Sequence, residues 1–268
     1  MIRHRAGDEF FLITQHDHAL LSGRMAEHLS GNPIRQPQST AIQGIALHDC
    51  GWPLHDDEPT LNADGLPLHV FETPPQISTR VWSAAATRAS NKEPYSGLLV
   101  SLHVLSLSFM SQASHRLPHD VFELNKFQHR QVELQEELRT RLGMRIDLPL
   151  THGLAQPGTS ADEDALLFDF YLLRAMDALS LALCCSESLF ISLDNVFPRP
   201  GGSPIRLQVN RPGSFAVTLN PWPFDTSPLE FAVPFRRMPA RTYTSLDEFR
   251  DTYAAARTET VPAWLSAG

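Results

Sequence analysis

AIQGIALHDCGWPLHDDEPTLN, residues 41–62, decides how the rest of the chain is read. Its first half has apolar side chains at helical spacing. Ile45 sits three residues before His48 and four before Asp49, and Ala41 and Ile42 lie seven before each of them. A buried stripe therefore ends in a histidine and a carboxylate, on a helix predicted over residues 36–50 and closed by Gly51. Asp49 faces the negative end of its own helix macrodipole and gains nothing from it. An unpaired buried carboxylate is expensive, so a cation, a hydrogen-bond donor or a metal has to stand opposite.

The same feature recurs in both directions along the chain. A helix starting at the Thr14/Asp17 capping pair and ending at "GNP", residues 31–33, puts His18 on the face of Leu21, Ser22, Met25 and Leu29. His16 points to the opposite, solvent side. A helix near residues 95–112 carries His103, with Leu99 and Val100 behind it and Ser106 and Leu107 ahead. The long apolar helix in "EDALLFDFYLLRAMDALSLALCCSE" carries Asp177 between Phe170 and Leu173 on one side and Leu181 and Cys184 on the other. Arg174 offers Asp177 an intrahelical ion pair as the ordinary explanation. Four helices thus each turn a histidine or aspartate inwards. Scattered core polar groups would explain each one singly, whereas a shared divalent ion explains them together, since imidazole nitrogen and carboxylate oxygen suit Mn, Fe and Zn.

Composition sets the outer limits. The chain has 268 residues, 42% of them hydrophobic, which is enough for a packed core in one large domain or in a main domain with an appendage. Net charge is −8 with no basic run, which argues against a nucleic-acid scaffold as partner. Three cysteines, Cys50, Cys184 and Cys185, form neither a disulfide framework nor a zinc-ligand spacing. No secretory h-region opens the sequence and no apolar run approaches ~18 residues, so the expectation is a cytoplasmic protein without a membrane partner.

Organisation follows from composition shifts. Residues 1–13 read as a β-hairpin around "RAGD", helices follow to about residue 189, and a further helix is predicted over residues 119–142. "LPLTHGLAQPGTSADED" reads as a loop. After residue 189 the character changes, and ten of the 21 prolines fall between Pro198 and Pro262. There "SPIRLQV", "SFAVTLN" and "LEFAVPFRR" read as short strands. The expected fold is mainly α: a helical body over residues 1–189, hairpin included, with a small β-rich tail over 190–268 that can pair with the hairpin as one continuous unit.

His18, then His48-Asp49, then a distant Asp177, resembles the H…HD…D pattern of the HD superfamily of metal-dependent phosphohydrolases. Closer still, "TQHDHALLSGRMAEH", "IALHDCGW", "DEPTLNADGLP", "PYSGLLVSLH", "MDALSLALC" and "VTLNPWPF" resemble a bacterial family, domain-of-unknown-function family 3891, over nearly the whole chain. The superfamily resemblance implies that the helical body is an HD-like bundle with His18, His48, Asp49 and Asp177 as primary metal ligands. His103 stands where two-metal members often supply a further histidine. Asp169, eight residues upstream of Asp177, is the competing position. After the second helix, His55 and Asp56 read equally well as a solvated turn, and Asp57 is the expected proton acceptor beside Asp49.

The chemistry expected is hydrolysis of a small phosphoester or nucleotide, assisted by one or two divalent ions drawn from Mn, Fe, Mg, Zn or Ni. Phosphate calls for arginine or lysine, yet Arg24 lies off the His18 face and only Arg174 shares a ligand-bearing stripe. The alternatives are an HD-fold di-iron oxidoreductase or oxygenase, and a non-catalytic metal-binding protein.

Overall fold

The computed structural model describes residues 1–144, 148, 150–151, 153–156, 160–187 and 190–268. Strands β1 (Ile2–Ala6) and β2 (Glu9–Ile13) open the chain, turned at Gly7, whose φ of 64° is left-handed backbone that glycine adopts without steric cost. Helices α1 (Gln15–Glu27), α2 (Ser39–Leu47) and the short α3 (Pro53–Asp56) follow. Next come α4 (Pro75–Lys92), α5 (Pro94–Ser114) and α6 (Pro118–Leu142), each started by a proline whose missing N–H costs nothing in the first turn. Strands β3 (Leu150–Thr151) and β4 (Leu154–Ala155) pair with each other ahead of α7 (Ala161–Cys184), which a reciprocal Ser160/Glu163 capping box begins. The remainder is β5 (Ser192–Val196), β6 (Ile205–Gly213), β7 (Ala216–Asn220), β8 (Leu229–Pro239), α8 (Leu246–Ala255) and β9 (Thr258–Ala267).

The expectation of a mainly α, even all-α, fold with a small β portion is corrected here. Helix accounts for about 49% and strand for 22%, and seven strands in the order β1-β2-β8-β9-β7-β6-β5 form a curled half-barrel. The three strands read in the tail are β6, β7 and β8. The N-terminal hairpin extends their sheet, with Phe10 of β2 opposite Met238 of β8. Sequence reading missed β9 because Pro262 looks like a strand breaker. In the sheet, Pro262 pairs with Ala232 of β8, while β7 reaches β9 only from Trp264 onwards. Pro262 therefore has no neighbour on its second side that needs an N–H. β5 was hidden because Asn195, at φ 60°, and a register shift between Leu193 and Val196 break its alternation.

The core runs without a break from the helices into the sheet. α7 is buried on most of its circumference and packs against α1, α2 and α5 on one side and β5 and β7 on the other. One apolar cluster joins Leu21, Ile45, Leu99 and Met176 to Val217 and Val233 on the inner sheet face. α5 is long and apolar enough to cross a membrane, contrary to the expectation that no such run exists, yet it is mostly buried inside the protein. Of the loop expected over residues 148–164, residues 149, 152 and 157–159 lie outside the described residues, as does the expected boundary at residue 189.

The supposedly solvated turn after α2 is packed instead. His55 and Asp56 are buried, and Asp56 sits 3.1 Å from the Met1 amino group while accepting the Gln15 N–H at 2.8 Å. Gly51 lets the same turn lie directly against the backbone of α4. A Cβ at this position would stand 1.9 Å from the Val81 carbonyl oxygen and 2.6 Å from the Ala85 nitrogen. Because that neighbour is helix backbone, Gly51→Ala is expected to cost about 3 kcal/mol. The thermal midpoint falls by roughly 5–10 °C in a scanning calorimeter, and an unchanged midpoint would refute the close packing.

Candidate metal centre

Thr14 caps α1 by accepting the Asp17 N–H at 3.0 Å, and one turn later His18 is fully buried. Gly23 then lets α1 lie against α2, where a Cβ would stand 2.6 Å from that of Ala46. α2 stops at Leu47, three residues short of the predicted end. His48 is its C-cap and Asp49 lies in the turn beyond. His103 comes from the buried middle of α5, and Asp177 from α7.

These groups meet. His18 Nε2 lies 2.9 Å from Asp49 Oδ2, and His48 Nε2 lies 3.8 Å from that same oxygen. Asp177 Oδ1 is 3.5 Å from His48 Nε2, and Asp177 Oδ2 is 3.6 Å from His103 Nε2. Two triads result, His18–His48–Asp49 and His48–His103–Asp177, with the ligand atoms of each within 4.8 Å of one another. His48 belongs to both.

Neighbouring groups fix the orientation of these rings. His48 Nδ1–H donates to the Ile45 carbonyl at 2.7 Å. His18 Nδ1 lies 2.7 Å from Ser180 Oγ, whose own proton goes to the Asp177 carbonyl at 2.8 Å, so the network assigns the donor to His18. Both Nε2 atoms are left facing carboxylates, as carbonyl or hydroxyl partners leave them in metal-ligating histidines. Trp52 Nε1–H donates to Asp49 Oδ1 at 3.0 Å and turns Oδ2 towards the histidines. His48 Nε2 and both His103 ring nitrogens are buried without a hydrogen-bond partner.

The electrostatics couple the imidazoles to the carboxylates. Burial pulls His48 towards neutrality, but Asp49 and Asp177 outweigh it and raise the imidazole to about 9. Burial lowers His103 to about 3 despite Asp177 nearby. Burial also works against the charged form of Asp177, yet the charge of nearby His48 holds its carboxyl well below the usual carboxylate range. Anionic carboxylates beside unpartnered imidazole nitrogens are the donor set that Mn, Fe or Zn takes, so a divalent ion fits.

A cavity of about 240 Å³ lies over the cluster, with Asp49, His103 and Asp177 in its lining. Trp52, Phe71, Trp82, Leu107, Met110 and Leu181 form apolar wall, and Gln15, Ser111 and His115 are among its polar residues. Among the described residues no lysine or arginine lines it.

Not every expected residue arrives there. Asp57 is exposed at the end of α3 and lines a separate cleft with Arg236 and Arg250, so the role expected for it beside Asp49 is corrected. The α3 turn buries His55 and Asp56 and sends Asp57 outwards. Asp169 lies in another pocket, where Tyr95 donates to it at 2.6 Å and burial raises its carboxyl to about 6, which decides for Asp177 in the cluster. Arg174 is held by Ser106 Oγ at 3.0 Å and the Gly153 carbonyl at 2.8 Å, not by Asp177. His16 is half-buried and outside both triads. Sequence reasoning missed Trp52 and Ser180. Each stands three residues after an aspartate of the cluster, a one-turn spacing that could have flagged them.

The model of a family described as a protein of unknown function, DUF3891, matches residues 1–240. The chain belongs to the DUF3891 family. That span of the DUF3891 protein runs from β1 through β8 and contains all five clustered residues. No curated protein and no solved structure matches the chain.

Proposed function

We propose that this DUF3891 protein is a divalent-metal-dependent hydrolase of the HD type, acting on a small phosphoester. The H…HD…D order of His18, His48-Asp49 and Asp177 supports HD membership. The observation that carries the reading is an open cavity with ligand residues in its lining, since catalytic ions keep a position free and structural ones do not. His18, His48, Asp49, His103 and Asp177 would hold one or two ions. A divalent ion there polarises a phosphoryl oxygen and lowers the pKa of a bound water from ~16 towards 7.

The residues of the chain do the remaining work. Asp49 and Asp177 supply negative charge, and the Ile45 carbonyl and Ser180 hydroxyl keep the imidazoles in a ligating orientation. The apolar walls exclude water from the reacting centre. Among the described lining residues, His115 is the titratable group outside the two triads, so proton return to the leaving group falls to it in place of Asp57.

The test is hydrolysis of 4-nitrophenyl phosphate by protein stripped with chelator and reloaded with Mn, Fe, Zn, Mg or Ni. Turnover that vanishes on stripping and returns with at least one metal is expected. Metal-independent turnover would refute the reading. One observation favours a second reading: among the described residues no lysine or arginine lines the cavity, which then suits an uncharged organic substrate beside two irons. Bound iron whose absorbance changes under oxygen, in a protein without phosphatase activity, would establish that oxidoreductase.

A further inference from the structure

We infer that the cavity takes a phosphomonoester whose alcohol part is small, uncharged and apolar or aromatic, with the Gln15 side-chain amide holding a phosphoryl oxygen. This rests on the hydrolase reading and names the substrate class for that site.

Gln15 is the first residue of α1, only 2% exposed, and it lines the cavity with Asp49 and Asp177. Its backbone N–H is already committed to Asp56 Oδ2 at 2.8 Å, a carboxylate anchored by the Met1 amine. Its amide nitrogen is buried without a hydrogen-bond partner. Buried amides are ordinarily paired, so a leftover donor beside a cavity marks the place of a ligand acceptor. The backbone anchor fixes where that donor sits, and preorganised donors of this kind hold developing oxyanions.

The walls select the other half of the substrate. Trp52, Trp82, Phe71, Leu107, Met110 and Leu181 offer ring faces and methyl groups. A second phosphate needs a cation, which the described lining lacks, and a sugar would set its hydroxyls against a wall that is mostly apolar. At about 240 Å³ the space also falls below the ~300–1,000 Å³ usual for drug-sized ligands. A phenyl or short alkyl group fits both the chemistry and the size.

Titration calorimetry on manganese-loaded protein tests this, with non-hydrolysable phenylphosphonate against ribose 5-phosphate and manganese content measured alongside. Wild type is expected to bind phenylphosphonate at least tenfold more tightly than ribose 5-phosphate. Gln15→Leu keeps the wild-type manganese content and loses about tenfold in phenylphosphonate affinity. Trp82→Ala loses phenylphosphonate affinity and keeps that for inorganic phosphate. Equal binding of the two probes by manganese-loaded wild type, or a Gln15→Leu variant with unchanged affinity, overturns this inference and leaves the hydrolase reading standing. Wild type that takes up none of Mn, Fe, Zn, Mg or Ni overturns both.

Discussion

Asp49→Ala binds manganese at least 100-fold more weakly than wild type, and its metal-dependent turnover falls in step. Partners that merely orient ligands cost 10–100-fold when removed, and Asp49 is placed more centrally than those. Its Oδ2 lies 2.9 Å from His18 and 3.8 Å from His48, and its Oδ1 is held by Trp52 at 3.0 Å. Taking it away removes one of the two carboxylates that attract a cation and frees the Trp52 donor in a buried place. Elemental analysis after dialysis against a fixed manganese concentration measures the change, with circular dichroism to confirm the fold. His16→Ala, outside both triads, keeps its metal. Equal metal in wild type and Asp49→Ala would remove the cluster from consideration as a metal centre.

Metal uptake also strengthens with pH, and the second large effect is here. Burial opposes charge on His48, but Asp49 and Asp177 raise it to about 9, so at neutral pH an ion must displace a proton from this ring. Affinity therefore rises about tenfold per unit well below pH 9, about 50-fold from pH 7 to pH 9, and levels off above that. The same proton acts oppositely on the chelator-stripped protein. A folded pKa above the unfolded value of 6.5 means a stabilisation fully present below about pH 6.5 and lost as pH rises through about 9. The metal-free thermal midpoint should fall over the interval in which metal affinity climbs. Calorimetric titrations in two buffers of different ionisation enthalpy count the proton released. A flat affinity across pH 7–9 without proton release would show that His48 is not a ligand.

Much of the centre was legible because helical periodicity is a strong signal. His18, His48, Asp49, His103 and Asp177 each interrupt an apolar stripe, and the helices that carry them pack around α7 as their apolar faces require. Asp57 failed for the opposite reason. No periodicity governs a four-residue helix such as α3, and a difference of one residue there separates buried Asp56 from exposed Asp57. The choice between Asp169 and Asp177 also needed three dimensions, since both lie towards the core on α7 and are separated by their partners, Tyr95 for the one and His48 and His103 for the other.

The sheet was the larger miss. β6, β7 and β8 alternate openly, but their extent depends on pairings far apart in sequence: β2 with β8, and β9 between β7 and β8. Pro262 is tolerated because its second side is open, which is a property of register and not of composition. Local pattern also does not reveal that the Gln15 backbone is anchored by Asp56, 41 residues away, leaving only its side chain for a ligand.

Anomalous diffraction at the manganese edge, from crystals grown with that ion, is the most direct test of a shared cation among the four segments. The expected result is a peak bonded at about 2.0–2.3 Å to His48 Nε2 and to carboxylate oxygens of Asp49 and Asp177. Manganese absent from this place, with the same side chains satisfied by one another alone, would contradict it.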